Sequence, residues 1–294
     1  MATIFVSIAS YMDLELRDTV YSALSKAEDP SRVFFSIFSQ DTDEDHPKLS
    51  GLFYLFDAMG FRYERINYKD SRGVGHARAK AQEPLDSSFD FYLQIDSHTQ
   101  FRENWDTLLV NDYTEAEKFW GSKIIFTAYP GTYTYTDTGN VKISEISIPT
   151  KLRIQPSDNP ALVYEPKYTN YEGAFFGEFH AYFCAGFAFG RSQYFIDVPY
   201  DEHIYFNGEE QTLSIRFYCN DIKLIAPSKH YVFHHYSGTK RSRNWEKTPN
   251  WEINEKISID RLAKFYAGEH LDGFGIPDMD KFNDWLSCFL TPRG

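Results

Sequence analysis

The sequence predicts an α/β protein with a mostly parallel central sheet and flanking helices. Three observations lead there. Apolar strand-like runs and helix-period segments alternate four times within the first 130 of 294 residues, the pattern of crossover connections between parallel strands. Hydrophobic residues make up 42% of the chain, enough to bury a large core. No internal repeat, low-complexity tract or Pro/Gly/Ser-rich linker divides the chain, so one domain is expected.

In chain order, Thr3 to Ala9 is a short apolar run with a β-branched start, read as a buried strand. Asp13 is placed to cap a helix in which Leu16, Val20, Ala23 and Leu24 recur at helical spacing, closed by Asp29-Pro30. Val33 to Phe38 reads as a strand and Leu49 to Met59 as a helix stopped by Gly60. Phe61 to Tyr68 reads as a strand, and Gly75 to Glu83 as an Ala-rich helix stopped by Pro84. Phe91 to Ile95 is an apolar strand ending at Asp96, Trp105 to Ala116 a helix, and Lys123 to Tyr129 a strand. From Thr132 to Gly173 periodicity weakens; loops and a small antiparallel excursion are expected, with alternation over Val141 to Ile148. Regular structure resumes at Phe183. Glu209 to Tyr218 reads as a helix, Ile222 to Ala226 as a strand, and Ile257 to Ala267 and Asp280 to Phe289 as helices. In open α/β sheets ligands bind beyond the carboxyl ends of strands, where Ser10 and Asp96 fall.

The formal charge of -12 disfavours nonspecific adhesion to nucleic acid or anionic membranes. Lys240, Arg241 and Arg243 form one short basic cluster. An acidic chain that binds a diphosphate gains from a cation at the site. Three cysteines, Cys184, Cys219 and Cys288, have neither disulfide nor zinc spacing and fit a reducing compartment. No stretch is apolar and long enough to span a bilayer, and the first residues lack a signal-peptide pattern. A soluble, cytoplasmic protein is expected. Aromatic residues, 18% of the chain, suit either a ring-rich core or stacking on sugars and bases.

The strongest local signal is Tyr92-Leu93-Gln94-Ile95-Asp96-Ser97-His98. Residues two apart in an extended segment face the same side, so a carboxylate and an imidazole can reach one cation. That pair suits Mn²⁺ and tolerates other divalent ions. The competing reading has Asp96 capping a turn and His98 on the surface. Tyr231 to Tyr236 delivers adjacent histidines, of which one can face the site; His234 is preferred over His235. Phe206-Asn207-Gly208-Glu209-Glu210 opens a helix with two acids that the helix dipole favours; one of them can face a sugar. Arg72-Gly73-Val74-Gly75-His76-Ala77-Arg78 places glycines and two arginines ahead of a helix, which suits a phosphate.

Taken in order, these segments resemble the GlcNAc-transferases that modify hydroxyproline on a cytoplasmic protein, and more distantly the polypeptide GalNAc-transferases. Residues Ile8-Ala9-Ser10-Tyr11-Met12-Asp13 look like that family's nucleoside-holding loop, and RGVGHARAKAQ like the segment that places a donor-binding arginine, here Arg78, with Arg72 beside it. QIDSHTQF resembles the Asp-Ser-His metal motif with Ser97 at its centre, and Ile125 to Pro130 the strand after it. Cys184 to Phe189, with Gly186, resembles the loop beneath the donor sugar. Val198 to Asp201 followed by FNGEE resembles the acceptor-side segment, and Phe233-His234-His235-Tyr236 the strand of the last histidine ligand.

The resemblance implies a GT-A domain over residues 1–294. Residues 1–130 form its nucleotide-sugar half, 131–240 its acceptor half and 241–294 a helical tail. It implies a retaining enzyme using a UDP-sugar of GlcNAc or a related hexose, with Mn²⁺ or another divalent cation on Asp96, His98 and His234. Ile8, Ala9, Ser10, Arg72, Arg78, Ser97 and Gly186 would bind the donor. Glu209 and Glu210 would orient sugar or acceptor, or act as base if the enzyme inverts. The acceptor would be a protein or glycan hydroxyl, with hydroxymethylated bases of viral DNA as the alternative; a noncatalytic nucleotide-sugar-binding module is the competing class. Met12 stands where the family has an arginine, and 132–173 does not align.

Overall fold

The computed structural model describes residues 2–42, 49–144, 148–158, 162–171, 173–237 and 242–291. The chain opens with β1 (Ile4–Tyr11), α1 (Leu16–Lys26), β2 (Val33–Asp41), α2 (Ser50–Leu55), β3 (Gly60–Asn67), α3 (Val74–Gln82), β4 (Phe91–Asp96), β5 (Thr99–Phe101), α4 (Trp105–Trp120) and β6 (Ile124–Thr127). It continues through β7 (Gly131–Tyr135), β8 (Val141–Ile143), β9 (Lys151–Pro156), β10 (Tyr164–Thr169), β11 (Glu178–Phe179), β12 (Phe187–Arg191), α5 (Ser192–Asp197) and α6 (Glu209–Cys219). It closes with β13 (Lys223–Ala226), β14 (Val232–His234), α7 (Asn244–Lys247), α8 (Trp251–Tyr266) and α9 (Met279–Phe289).

Eight strands form the main sheet in the order β11-β13-β6-β12-β4-β1-β2-β3. β1 lies parallel to β2 and β4, β2 to β3, and β6 to β13. β12 runs antiparallel between β4 and β6, a reversal that the sequence pattern did not disclose. Both sheet faces are covered, which is why β1 reads as a continuous apolar run. Ile4, Val6 and Ile8 enter one core with Val20, Leu93 and Trp105, while Phe5 enters the other with Tyr92, Phe195 and Phe217. A third cluster joins β9, α6, α8 and α9 around Ile154, Ile215, Phe265 and Trp285.

Several local expectations change. The helix expected over Leu49 to Met59 ends at Leu55, because Asp57 turns into positive φ and the Met59 amide already bonds to Val33 ahead of β3. Asp13 does not cap α1, which starts at Leu16 with Glu15 at its N-cap and no side-chain cap. The 132–173 region holds β7, β8 and the antiparallel β9–β10 hairpin. Part of the Val141 to Ile148 alternation, and Lys240 and Arg241, lie outside the described residues. Among the described residues, no helix is long and apolar enough to cross a membrane.

A second sheet, β5-β14-β7-β8, stands at the carboxyl end of β4. Its pairing places His234 opposite Thr99, one residue past His98. A residue 136 positions away is thereby brought onto the turn that follows β4.

Candidate metal centre and adjoining cleft

The turn after β4 is pinned from below by α1. Thr19 Oγ1 donates to the Ser97 carbonyl at 2.7 Å and accepts from the Thr99 amide at 2.8 Å. The His235 amide bonds to the His98 carbonyl at 3.1 Å. These bonds hold Asp96, His98 and His234 together, with one ligand-type atom of each within 4.8 Å of the others. His98 Nε2 lies 2.8 Å from His234 Nε2, and His234 Nε2 lies 3.0 Å from Asp96 Oδ2.

The donor set fits a cation. Two ligands each about 2.1 Å from one ion at right angles stand about 3 Å apart, which is the spacing found. Two imidazole nitrogens facing each other can share only one proton, whereas a cation accepts both lone pairs. An oxygen with two imidazoles suits Mn²⁺ and related divalent ions. The neighbour Gly186 is tight: a Cβ there would lie 3.1 Å from Asp96 Oδ2.

Asp96 lines a cleft of about 430 Å³ together with Ala9, Ser10, Arg78, Gly186, Glu209 and Glu210. Arg78 is the hinge of its charge pattern. Its Nη2 donates to Asp96 Oδ1 at 2.7 Å, and its Nε stands 3.6 Å from Glu209 Oε2. Burial alone would raise the Asp96 pKa. The His234 hydrogen bond and the charges of Arg78, His234 and His98 outweigh it, and the carboxyl sits well below the usual range. Glu209 and Glu210 go the other way. Burial pushes Glu209 to about 7 against the pull of Arg78, with Asp96 adding to the rise. Burial pushes Glu210 to about 8, although the Ala185 amide donates to its Oε1 at 2.7 Å. The helix-dipole stabilisation expected for these two acids is therefore the weaker effect.

Other expected residues divide. Ser10 Oγ is buried in the cleft wall and makes no hydrogen bond among the described residues, which leaves it available to a ligand. Ala9 lines the cleft, but the Ile8 side chain is wholly in the core. Ile8 pairs with Ile37 and Ile95 on either side and is not among the residues lining the cleft. Arg72 is not among the residues lining the cleft; its side chain is 55% exposed and faces Glu202 at 3.8 Å. The glycines beside it serve packing. Gly73 has φ +99°, and a Cβ on Gly75 would meet the Ile204 carbonyl at 2.4 Å. The first amides of α3 bond to the Tyr205 and Ile204 carbonyls at 2.7 and 3.2 Å, so they are not free for a phosphate. Docked this way, α3 turns Arg78 into the cleft. The Ser97 hydroxyl is directed at Asp13 Oδ2, 2.6 Å away.

Sequence reasoning missed four contributors. Asp13 Oδ2 lies 2.6 Å from His98 Nδ1. Gln40 closes the end of β1, taking a 2.6 Å bond from Ser71 Oγ, to which the Asn244 amide also donates at 2.6 Å. The Tyr236 ring packs 4.2 Å from that of His234. Trp245 lines the wall near Phe206, their rings 4.7 Å apart. Asp13 was visible as an acid two residues past a strand and as the last residue of the loop that resembles a nucleoside-holding one, but those signals equally describe a helix cap or a nucleoside contact.

The model of the Glycosyltransferase (GlcNAc) family matches residues 3–59 and 53–272. Among solved structures the chain is similar to GalNAc-T7 with UDP, GalNAc and Mn²⁺, with TM-score 0.59 and 12% identity over 97% of this chain and 54% of that one. The chain thus spans about half the length of that structure, and the likeness is one of fold, the GT-A α/β architecture. The structures of S. aureus TarS 1-349 and of S. aureus TarS 1-349 in complex with UDP give TM-scores of 0.47 and 0.46 at 11% and 12% identity, over 98% and 97% of this chain and 78% of each of those. No curated protein matches.

Proposed function

The chain belongs to the Glycosyltransferase (GlcNAc) family, and on that premise we propose that it transfers GlcNAc or a related hexose from a UDP-sugar to an acceptor hydroxyl, with a divalent cation, Mn²⁺ in the first place, and with retention at the anomeric carbon. The observation that carries this is the convergence of Asp96, His98 and His234 on one point of a cleft that also holds Arg78. The UDP and Mn²⁺ bound in the GalNAc-T7 structure support the same reading.

Asp96, His98 and His234 hold the cation, which supplies positive charge to the leaving diphosphate. Arg78 adds a fixed guanidinium beside the same oxygens. Ala9 and Ser10 bind the nucleoside end, where the unpartnered Ser10 hydroxyl takes a hydrogen bond. Gly186 lets the sugar approach Asp96 without a side chain between them.

Glu209 and Glu210 carry protons up to about 7 and about 8. Near neutral pH both can share hydrogen bonds with sugar hydroxyls, and a pKa near the working pH would also suit Glu209 to general-base work were the enzyme to invert. In the retaining reading that we propose, the acceptor attacks on the face the diphosphate leaves and the departing phosphate oxygen takes the proton. We assign residues 1–130 to the nucleotide-sugar half, 131–240 to the acceptor half and 241–294 to a helical tail. The formal charge of -12 favours a glycan or protein hydroxyl over DNA, and Tyr129, Tyr236, Phe206 and Trp245 in the cleft lining offer rings on which a sugar can stack. The free thiols Cys184, Cys219 and Cys288 support a reducing, cytoplasmic setting.

The test is UDP release from a panel of UDP-sugars, with and without Mn²⁺. Wild-type protein should release UDP only with the cation, and Asp96→Ala should lower the rate about a thousandfold with the fold retained by circular dichroism. Undiminished turnover in Asp96→Ala refutes the assignment.

A further inference from the structure

We infer that the short loop Asp13–Glu15, between β1 and α1, is the positioning element of the metal centre: Asp13 fixes the imidazole of His98, and Glu15 fixes His235 and with it the backbone that delivers His234. The inference rests on the metal reading above, and its test separates the two.

Asp13 Oδ2 faces His98 Nδ1 at 2.6 Å and accepts from Ser97 Oγ at 2.6 Å, while Oδ1 accepts from the Glu15 amide at 2.9 Å. A carboxylate only accepts, so His98 carries its proton on Nδ1. Its Nε2 is left with a lone pair directed at His234 and Asp96. This carboxylate–histidine arrangement fixes the tautomer and ring plane of a metal ligand.

Glu15 does the corresponding work on the other strand. Its Oε2 faces His235 Nδ1 at 2.9 Å, and its Oε1 accepts from the hydroxyls of Tyr135 at 2.5 Å and Tyr133 at 3.3 Å. The Tyr133 ring stacks on the His235 ring with centroids 5.2 Å apart. Held this way, His235 gives its amide to the His98 carbonyl, and the preceding residue, His234, turns to the opposite side, toward Asp96.

Helix capping does not explain the two acids, since neither side chain caps α1. Stability is a weak account of them too, because burying two carboxylates in one turn is costly. One oxygen of each meets a segment that carries a candidate ligand: Asp13 Oδ2 meets Ser97 and His98, and Glu15 Oε2 meets His235. The Met12 backbone at φ +43° turns the chain so that both acids can do so.

The experiment measures Mn²⁺ binding to the full chain by the free-ion EPR signal, and imidazole tautomers in the metal-free protein by ¹⁵N NMR. Asp13→Ala should weaken Mn²⁺ binding about 10–100-fold and cost His98 its single Nδ1–H form. Asp13→Asn, whose amide oxygen still accepts from Nδ1–H, should recover part of both. Glu15→Gln should weaken binding less than Asp13→Ala, with His98 keeping its tautomer. Unchanged Mn²⁺ affinity and an unchanged His98 tautomer in Asp13→Ala and Asp13→Asn overturn the inference. Absence of Mn²⁺ binding in the wild type overturns the metal reading instead, and the tautomer readout then still decides whether Asp13 holds His98.

Discussion

Two groups of carboxylates face each other across one cleft and end in opposite states. On the β4 side, Asp96 stays ionised well below the usual range. On the α6 side, Glu209 and Glu210 keep their protons to about 7 and about 8. Burial raises the pKa in all three. What separates them is the company of cations and donors: Asp96 has His234, His98 and Arg78, Glu209 has Arg78 at a longer distance, and Glu210 has chiefly one backbone amide. Ionisation is thus graded across a few residues, from a carboxylate suited to a cation to carboxyls suited to sugar hydroxyls.

The largest break in this gradient comes from removing the guanidinium that spans it. Arg78→Met leaves Asp96 with its histidines but takes from Glu209 its nearest positive charge. The Glu209 pKa should rise above about 7, and kcat/KM for Mn²⁺-dependent UDP release should fall about 100–1,000-fold. Arg78→Lys should recover only part, because an ammonium cannot reach both carboxylates in the guanidinium's fork geometry. Unchanged kcat/KM in a folded Arg78→Met protein sinks the assignment.

A smaller effect sharpens the α6 side alone. Glu210 titrates near 4.5 when unfolded and near 8 when folded. Between those values the folded state holds a proton that the unfolded state has released. The stability from Glu210 is therefore full below pH 4.5 and lost as pH rises through 8. The Tm of metal-free protein should fall by several degrees from pH 5 to pH 8, and Glu210→Gln should flatten that slope. The depressed Asp96 and Asp13 act in the opposite sense, losing their contribution only as pH falls through their folded values, below the ordinary 3.8. Glu210→Gln should leave that acid limb untouched. A Tm slope between pH 5 and 8 that is identical in wild type and variant removes Glu210 from the account.

The β4 side was far more legible in the sequence than the α6 side. An apolar strand ending in Asp-x-His carries its geometry locally, since side chains two apart share a face. The strands and helices around it follow from hydrophobic period. His234 came from an apolar strand with the right company, although only the β5–β14 pairing shows how it arrives. The protonation of Glu209 and Glu210 was not legible, because their place at a helix start predicts stabilised anions while tertiary burial decides otherwise. Ile8 and Arg72 illustrate a related limit. In a strand covered on both faces, alternation does not say which residues meet the ligand. A glycine-flanked arginine looks the same whether its helix amides meet a phosphate or, as here, the carbonyls of Ile204 and Tyr205. The antiparallel insertion of β12 depends on pairing across the chain, which local pattern does not encode.

The least disruptive change tests whether the two sides are independent, because one loop touches both. The Ala185 amide donates to Glu210, and Gly186 abuts Asp96. The loop is held from behind by Gln94 Nε2 bonding to the Ala185 carbonyl at 2.8 Å and by Thr127 Oγ1 accepting from the Cys184 amide at 2.8 Å, so it has little room to retreat. In Gly186→Ala the new methyl would stand 3.1 Å from Asp96 Oδ2, and the carboxylate must give way by a few tenths of an ångström. Mn²⁺ binding should weaken less than tenfold, well short of the ligand variants. Glu210 should titrate as before, because the Ala185 amide precedes the substituted Cα. An equal disturbance of metal affinity and of the Tm slope between pH 5 and 8 would mean that the loop moves as a unit. The protonation gradient would then belong to the loop's position as much as to the cations around each carboxyl.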